Sequence, residues 1–328
     1  MPQDVEFVIE PGDVTDFRAD VLLLKYAQNF YGADASVIAT LKEFGIALVG
    51  PWPKPGDFRV IETKGALPTP IVIFVGVGPL HTLGYDGIQD FGFRAIEVVA
   101  GLRSPTNHIS MTLHGSGFGL DELESAAAQL AGCRRAIQRF DLPALRRITW
   151  VEISKNRVRR VRDSLGGVFH DTNSVAVSGS TEESEIKEVG PFTTPMRFGN
   201  KPHIFVAMPF DTEFEDVFYY GIQKPAHESG FLCERVDQET FTGDILEHVK
   251  HKIDTASIVV AELTGQNANV YLEVGYAWGK GRRTVLLAKK QEKLLFDVRG
   301  QKILLYGTIK ELDMILTREL TKLKEVYG

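Results

Sequence analysis

One acid set inside an apolar helix is the first chemical feature of this 328-residue chain. In AELTGQNANVYLEVGYAWGKG, residues 261–281, a strand end and a polar loop lead into Val, Leu, Gly, Tyr, Ala and Trp, with Glu273 near the start of the helix. A carboxylate in the first turn or two meets the positive end of the helix dipole and unpaired backbone N–H groups, so its ionised form is expected at neutral pH. Such a group is a poor proton donor. It can attack an electrophilic carbon or stabilise a cation forming beside it. Gly275 and Gly279 permit close approach of a ligand or another backbone, and the apolar neighbours deny Glu273 an open solvent face.

Polar loops that directly follow apolar strands supply the companions. MPFD contributes Met208, Pro209, Phe210 and Asp211; DQETFTGD contributes Asp237 and Asp244; TGQNAN contributes Asn267 and Asn269. The asparagines suit a ribose or phosphate, or equally an ordinary helix N-cap. Phe210 suits a base stack or the core. Tyr271 and Trp278 read as packing residues. A second constellation is HGSGFGLDELESAAAQL, residues 114–130, where Gly115, Ser116, Gly117, Phe118 and Gly119 lie between a strand and a helix. Glycines there let backbone N–H groups approach a diphosphate at the helix N-terminus, although a bare strand-to-helix turn has the same composition.

The elements that must hold these residues alternate β and α through both halves. Strands are expected at 6–10, 20–26, 58–64, 71–77, 108–113 and 147–153, with helices at 34–44, 87–101, 121–139 and 155–164. Residues 166–200 turn to Ser, Thr, Glu, Gly and Pro and read as a linker with one short strand at 174–178. The pattern restarts at HIFVAMPF, with a helix over 212–229 interrupted at Pro225, and then strands near 232–236, 257–263, 283–289 and 302–307. The fold class is therefore α/β in two domains, 1–165 and 201–328, the second a doubly wound parallel sheet.

Bulk composition narrows the rest. A net charge of -6 argues against an extended nucleic-acid surface, because neutralising phosphates needs a basic face. Cys133 and Cys233 suggest neither a disulfide framework nor a metal site, as in a reducing cytosol. The longest apolar run, IVIFVGVG at 71–78, is too short to span a bilayer, and the N-terminus shows no signal peptide. A cytoplasmic protein without membrane association is expected.

FVAMPFD followed by VVAELTG and NVYLEVGYAWG resembles the nucleotide-binding TIR-like domains and the related nucleoside 2-deoxyribosyltransferases over roughly 203–290. The resemblance implies that Glu273 is the catalytic residue at the sugar C1′, and that Met208, Pro209, Phe210, Asp211, Asp244, Asn267 and Asn269 contact substrate. Where that family often has Asp at the strand end this chain has Glu262, which separates it from the deoxyribosyltransferase mechanism. TIR-like members also imply NAD+ as substrate, no further cofactor or metal, and a homo-oligomer as the active form.

GDVT, ADVLLLKYAQ and YGADASVI, with the glycine loop at 115–119, resemble a diverged macro domain of the kind found in leucine aminopeptidase N-terminal domains, over about 5–165. That likeness implies Asp13 as an adenine-facing acid, the loop as a diphosphate cradle, and an ADP-ribose-like or cyclic nucleotide as activator. The joint expectation is a regulated NAD+ glycohydrolase of bacterial anti-phage immunity. A nucleoside deoxyribosyltransferase or nucleosidase and a non-catalytic nucleotide-binding module stand as alternatives.

Overall fold

The computed structural model describes residues 5–165, 198–236, 245–293, 295, 298 and 300–325. The chain divides into two compact units: Met1–His114 with Ser125–Phe198, and Gly115–Glu124 with Gly199–Gly328. The expected linker strand at 174–178 lies outside the described residues. The division differs from a simple cut between residues 165 and 201, because the glycine-rich segment falls in the second unit.

In the first unit, β1 (Glu6–Pro11), β2 (Val21–Tyr26), β3 (Phe58–Glu62), β4 (Ile71–Gly76), β5 (His108–Met111) and β6 (Arg147–Glu152) form one sheet in the order β1-β6-β5-β2-β4-β3. All pairs are parallel except β3 with β4 at one edge. Val21–Leu24 and Val72–Val75 are buried throughout, as continuous apolar runs require when both faces are covered. The helices α1 (Ala33–Glu43), α2 (Tyr85–Ala100), α3 (Glu122–Arg139) and α4 (Lys155–Ser164) fall within two residues of their expected positions. Lys25 at the end of β2 and Asp34 in the first turn of α1 make a buried ion pair at 2.5 Å.

The second unit is an all-parallel sheet of β7 (His203–Ala207), β8 (Leu232–Glu234), β9 (Ile258–Glu262), β10 (Thr284–Lys289) and β11 (Ile303–Tyr306), in the order β11-β10-β9-β7-β8. Counted within the unit and read from the β8 edge, that is the 2-1-3-4-5 order of flavodoxin-like doubly wound folds, with its switch point between β7 and β9. Strand alternation sends Ile204, Val206, Ile258 and Val260 to one face and Phe205, Ala207, Val259 and Ala261 to the other. The first face is covered by α5 (Lys224–Glu228) and α8 (Ile309–Glu325), whose Leu312, Leu316 and Leu320 recur at helical spacing and are fully buried. The second face is covered by α6 (Ile245–Thr255) and α7 (Ala268–Gly279).

The helix expected over 212–229 is a composite. A single 3-10 turn at Thr212–Phe214 precedes a π-helical stretch at Val217–Gln223, which passes directly into α5. Pro225 supplies no N–H and would clash with the carbonyl four residues earlier, and a widened turn immediately upstream removes that conflict.

Candidate functional site

Parallel strands deliver their following loops to one end of the sheet, and ligands of such folds bind there at the switch point. In the second unit β7 and β9 are hydrogen-bonded neighbours with Ala207 opposite Ala261, so Met208–Asp211 and Thr264–Asn267 leave the sheet side by side. Met208 and Pro209 are buried, Phe210 is half-buried and Asp211 is exposed, leading into the 3-10 turn. After β9, Gly265 (φ 80°) and Gln266 (φ 52°) turn the chain through the left-handed region. Asn267 then caps α7, its side-chain oxygen accepting from the Asn269 N–H at 2.9 Å. The capping use of Asn267 is thus built into the fold, and Asn269 stays exposed. Asp237 and Asp244 lie outside the described residues.

Glu273 is the sixth residue of α7, on the same side as Asn269 and Tyr276 by helical spacing. The Tyr276 hydroxyl donates to Asp254 of α6, which places this side of α7 toward α6. The Glu273 carboxyl is half-buried, and burial pushes its pKa up from 4.5 to about 7. No hydrogen bond or ion pair holds it among the described residues. The expectation of a fully ionised carboxylate is therefore corrected. The dipole field fades beyond the first helical turn, and Glu273 sits one turn further in, where desolvation dominates.

Glu262, the acid at the strand end, has a different environment. It is fully buried, accepts from the Thr264 N–H at 3.0 Å and from the Tyr306 hydroxyl at 3.0 Å, and so ties β9 to β11. Alternation directs it to the face of the sheet opposite α7. Its carboxyl is raised mainly by burial. Glu262 is a tethered structural acid, whereas Glu273 is an untethered one.

Two cations escaped the sequence reading. Arg235 follows β8 directly, with its guanidinium carbon 3.9 Å from the Phe218 ring centre and 5.1 Å from that of Phe210, and Nη1 3.6 Å from Met208 Sδ. Lys289 closes β10, its Nζ 5.6 Å from the Phe214 ring centre and its backbone N–H donating to Thr264 Oγ1 at 3.0 Å. Both stand at the carboxyl ends of strands, a signal that was available in LCERV and TVLLAKK.

The glycine-rich segment differs from a vacant phosphate cradle. Gly115 (φ 103°) and Gly119 (φ 85°) do turn the chain through glycine-favoured backbone conformations around a 3-10 turn at Ser116–Phe118. However, the Phe118 and Leu120 N–H groups donate to the Gly115 carbonyl. The N–H groups of Leu123 and Glu124, at the start of α3, donate to Asp121 Oδ1. Asp121 Oδ2 accepts from the Cys233 N–H at 2.9 Å and pairs with His227. Asp121 thus caps the start of α3 with its own carboxylate. The Gly117 backbone is also engaged. A Cβ on Gly119 would come within 2.7 Å of Val236, so the glycine serves packing. Asp13, the expected adenine-facing acid, is exposed and accepts from the Thr15 N–H and hydroxyl in a local turn.

Both cysteines are free and buried, and burial pushes the Cys133 thiol up to about 12. No cluster of three metal-binding side chains occurs among the described residues, and no helix there is long and apolar enough to cross a membrane.

No family model matches the chain, and no curated protein matches it. Among solved structures it is similar to a Trypanosoma brucei macrodomain, at 15% identity over 49% of this chain and 67% of that one, with a TM-score of 0.41. It is also similar to a variant of an Oceanobacillus iheyensis macrodomain with ADPR, at 17% identity over 51% of this chain and 95% of that one, TM-score 0.40. A Clostridium botulinum CMP N-glycosidase is similar at 20% identity over 36% of this chain and 98% of that one, TM-score 0.30.

Proposed function

We propose that the second unit cleaves the N-glycosidic bond of a nucleotide, with Glu273 acting at the anomeric carbon and NAD+ as the preferred substrate. One observation carries this reading: Glu273 is a half-buried carboxyl with no partner to hold it, on the helix that follows the switch-point strand. A desolvated acid without a structural tether lowers stability, and such groups concentrate where chemistry requires them. A pyridinium approaching this carboxyl favours its ionised form. As nicotinamide departs neutral, the charge moves to the ribose, and the carboxylate stabilises the oxocarbenium ion or captures C1′. No proton is needed by that leaving group. The sequence resemblance to TIR-like domains supports the same assignment.

The same carboxyl favours a second reading. A group titrating at about 7 is also a competent proton donor. Expulsion of a neutral base from a nucleoside or nucleoside monophosphate requires one. The pH profile separates the two. If Glu273 works ionised on NAD+, kcat/KM rises about tenfold per pH unit below about 7 and levels off above it. If Glu273 donates a proton, the profile inverts and activity falls above about 7.

The direct test incubates the protein with NAD+, NADP+, nucleosides and deoxynucleoside monophosphates and resolves the products by chromatography. Release of nicotinamide is the expected outcome. Release of free purine or pyrimidine selects the second reading, and the absence of any glycosidic cleavage overturns both.

A further inference from the structure

At the amino ends of its strands, away from the candidate site, the second unit holds a cavity of about 670 Å³. Its wall comes from residues that enter four neighbouring strands: Arg282 and Arg283 before β10, Ser257 before β9, Pro202 before β7 and Phe231 before β8. Lys324, in the last turn of α8, completes it. Three of the lining side chains are cations, and no acid lines the cavity among the described residues. A chain of net charge -6 has acids in plenty to neutralise such a group, and none is placed here.

Two of these cations have fixed surroundings but no partner. Arg282 is half-buried, its Nε is buried without an acceptor, and its side chain makes no hydrogen bond or ion pair among the described residues. A guanidinium donor in that state is costly until an acceptor arrives. Lys324 also makes no hydrogen bond or ion pair among the described residues. A Cβ on Gly230 would collide with its Nζ, which places the ammonium directly over the Gly230 backbone, next to Phe231. Arg283 is engaged in interactions of its own, which leaves Arg282 and Lys324 to meet a ligand. Pro202 and Phe231 give the cavity apolar surface, and the lower local dielectric strengthens the pull of both cations on an anion.

Cations near helix ends also offset the negative pole of the helix dipole, a role that needs no ligand. At α7 the backbone already meets that need. The carbonyls of Tyr276, Ala277 and Trp278 accept from the N–H groups of Lys280, Arg282 and Gly281 in turn.

We infer that this cavity is an anion site, in which Arg282 and Lys324 together bind the phosphate groups of a small molecule. It lies at the opposite end of the sheet from the loops after β7 and β9, and its occupation is independent of any glycosidic reaction.

The test is calorimetry on the full chain with inorganic pyrophosphate as the probe. Wild-type protein is expected to bind one pyrophosphate, more weakly as salt rises. Arg282→Gln and Lys324→Gln should each weaken binding by about 10- to 100-fold, on the scale of one charge-assisted contact. Lys322→Gln removes the same charge from the same helix as Lys324, at a residue that does not line the cavity, and should change binding less than about twofold. Lys324 is exposed, so its variant reads recognition even if Arg282→Gln costs stability, and melting curves without ligand separate the two effects. No pyrophosphate binding by the wild type at millimolar concentration, binding untouched by both variants, or an equal loss in Lys322→Gln overturns the site.

Discussion

Glu273→Gln is expected to lower NAD+ turnover by at least about a hundredfold while leaving NAD+ binding within about threefold, because the amide keeps volume and hydrogen bonding but cannot balance a developing cation. The same substitution should stabilise the fold. An acid whose folded pKa lies above its ordinary value holds its proton more tightly when folded. Its contribution is therefore present below about pH 4.5 and is lost as pH rises to about 7. Above that pH the wild type carries a buried charge that the amide lacks. The shift from 4.5 to about 7 corresponds to an upper figure on the order of 3 kcal/mol, reduced by partial exposure. Thermal unfolding at pH 5 and pH 8 checks the sign: the variant should gain several degrees over wild type at pH 8 and less at pH 5. A variant that keeps its turnover, or that loses stability at pH 8, would show Glu273 to be an ordinary structural acid.

The second large effect is in the first unit and concerns folding alone. Lys25 and Asp34 are 3% and 1% exposed, and Asp34 Oδ1 has no hydrogen-bond partner. Burial raises the Asp34 carboxyl against the pull of Lys25. Lys25→Met leaves Asp34 desolvated without its counter-charge and should cost about 3–5 kcal/mol, whereas Lys25→Met with Asp34→Leu should recover most of that loss. Urea unfolding followed by Trp52 and Trp150 emission, with Trp278 replaced by Phe, reports on this unit. If the double variant is no more stable than the single one, the pair does more than neutralise itself.

Much of the architecture was written in short-range pattern. Runs such as VLLL and SIVVAEL are long enough to be strands, and their lack of polar alternation implies helices on both faces. The loops after β7 and β9 were legible for the same reason, since polar residues directly after a buried strand have only the strand's end to occupy. The widened turn before Pro225 was hidden because it depends on how one carbonyl escapes the proline ring. The glycine loop was legible only as backbone freedom, and what packs around it comes from the fold. Here Asp121 and Val236 claim it.

Sequence alone determined that an acid stands in an apolar helix behind a polar loop, and so that Glu273 is the residue to ask about. Tertiary structure decided its protonation. Helix position is local and argued for an anion, but desolvation sums over every surface packed around the carboxyl, and that sum raises it to about 7. Tertiary structure likewise separated Glu262 from Glu273, because the first finds Tyr306, 44 residues away, and the second finds no partner among the described residues. The side-by-side exit of the loops after β7 and β9 likewise came from strand order. Sheet order is set by which buried faces pair across the whole unit, and no window of sequence contains it.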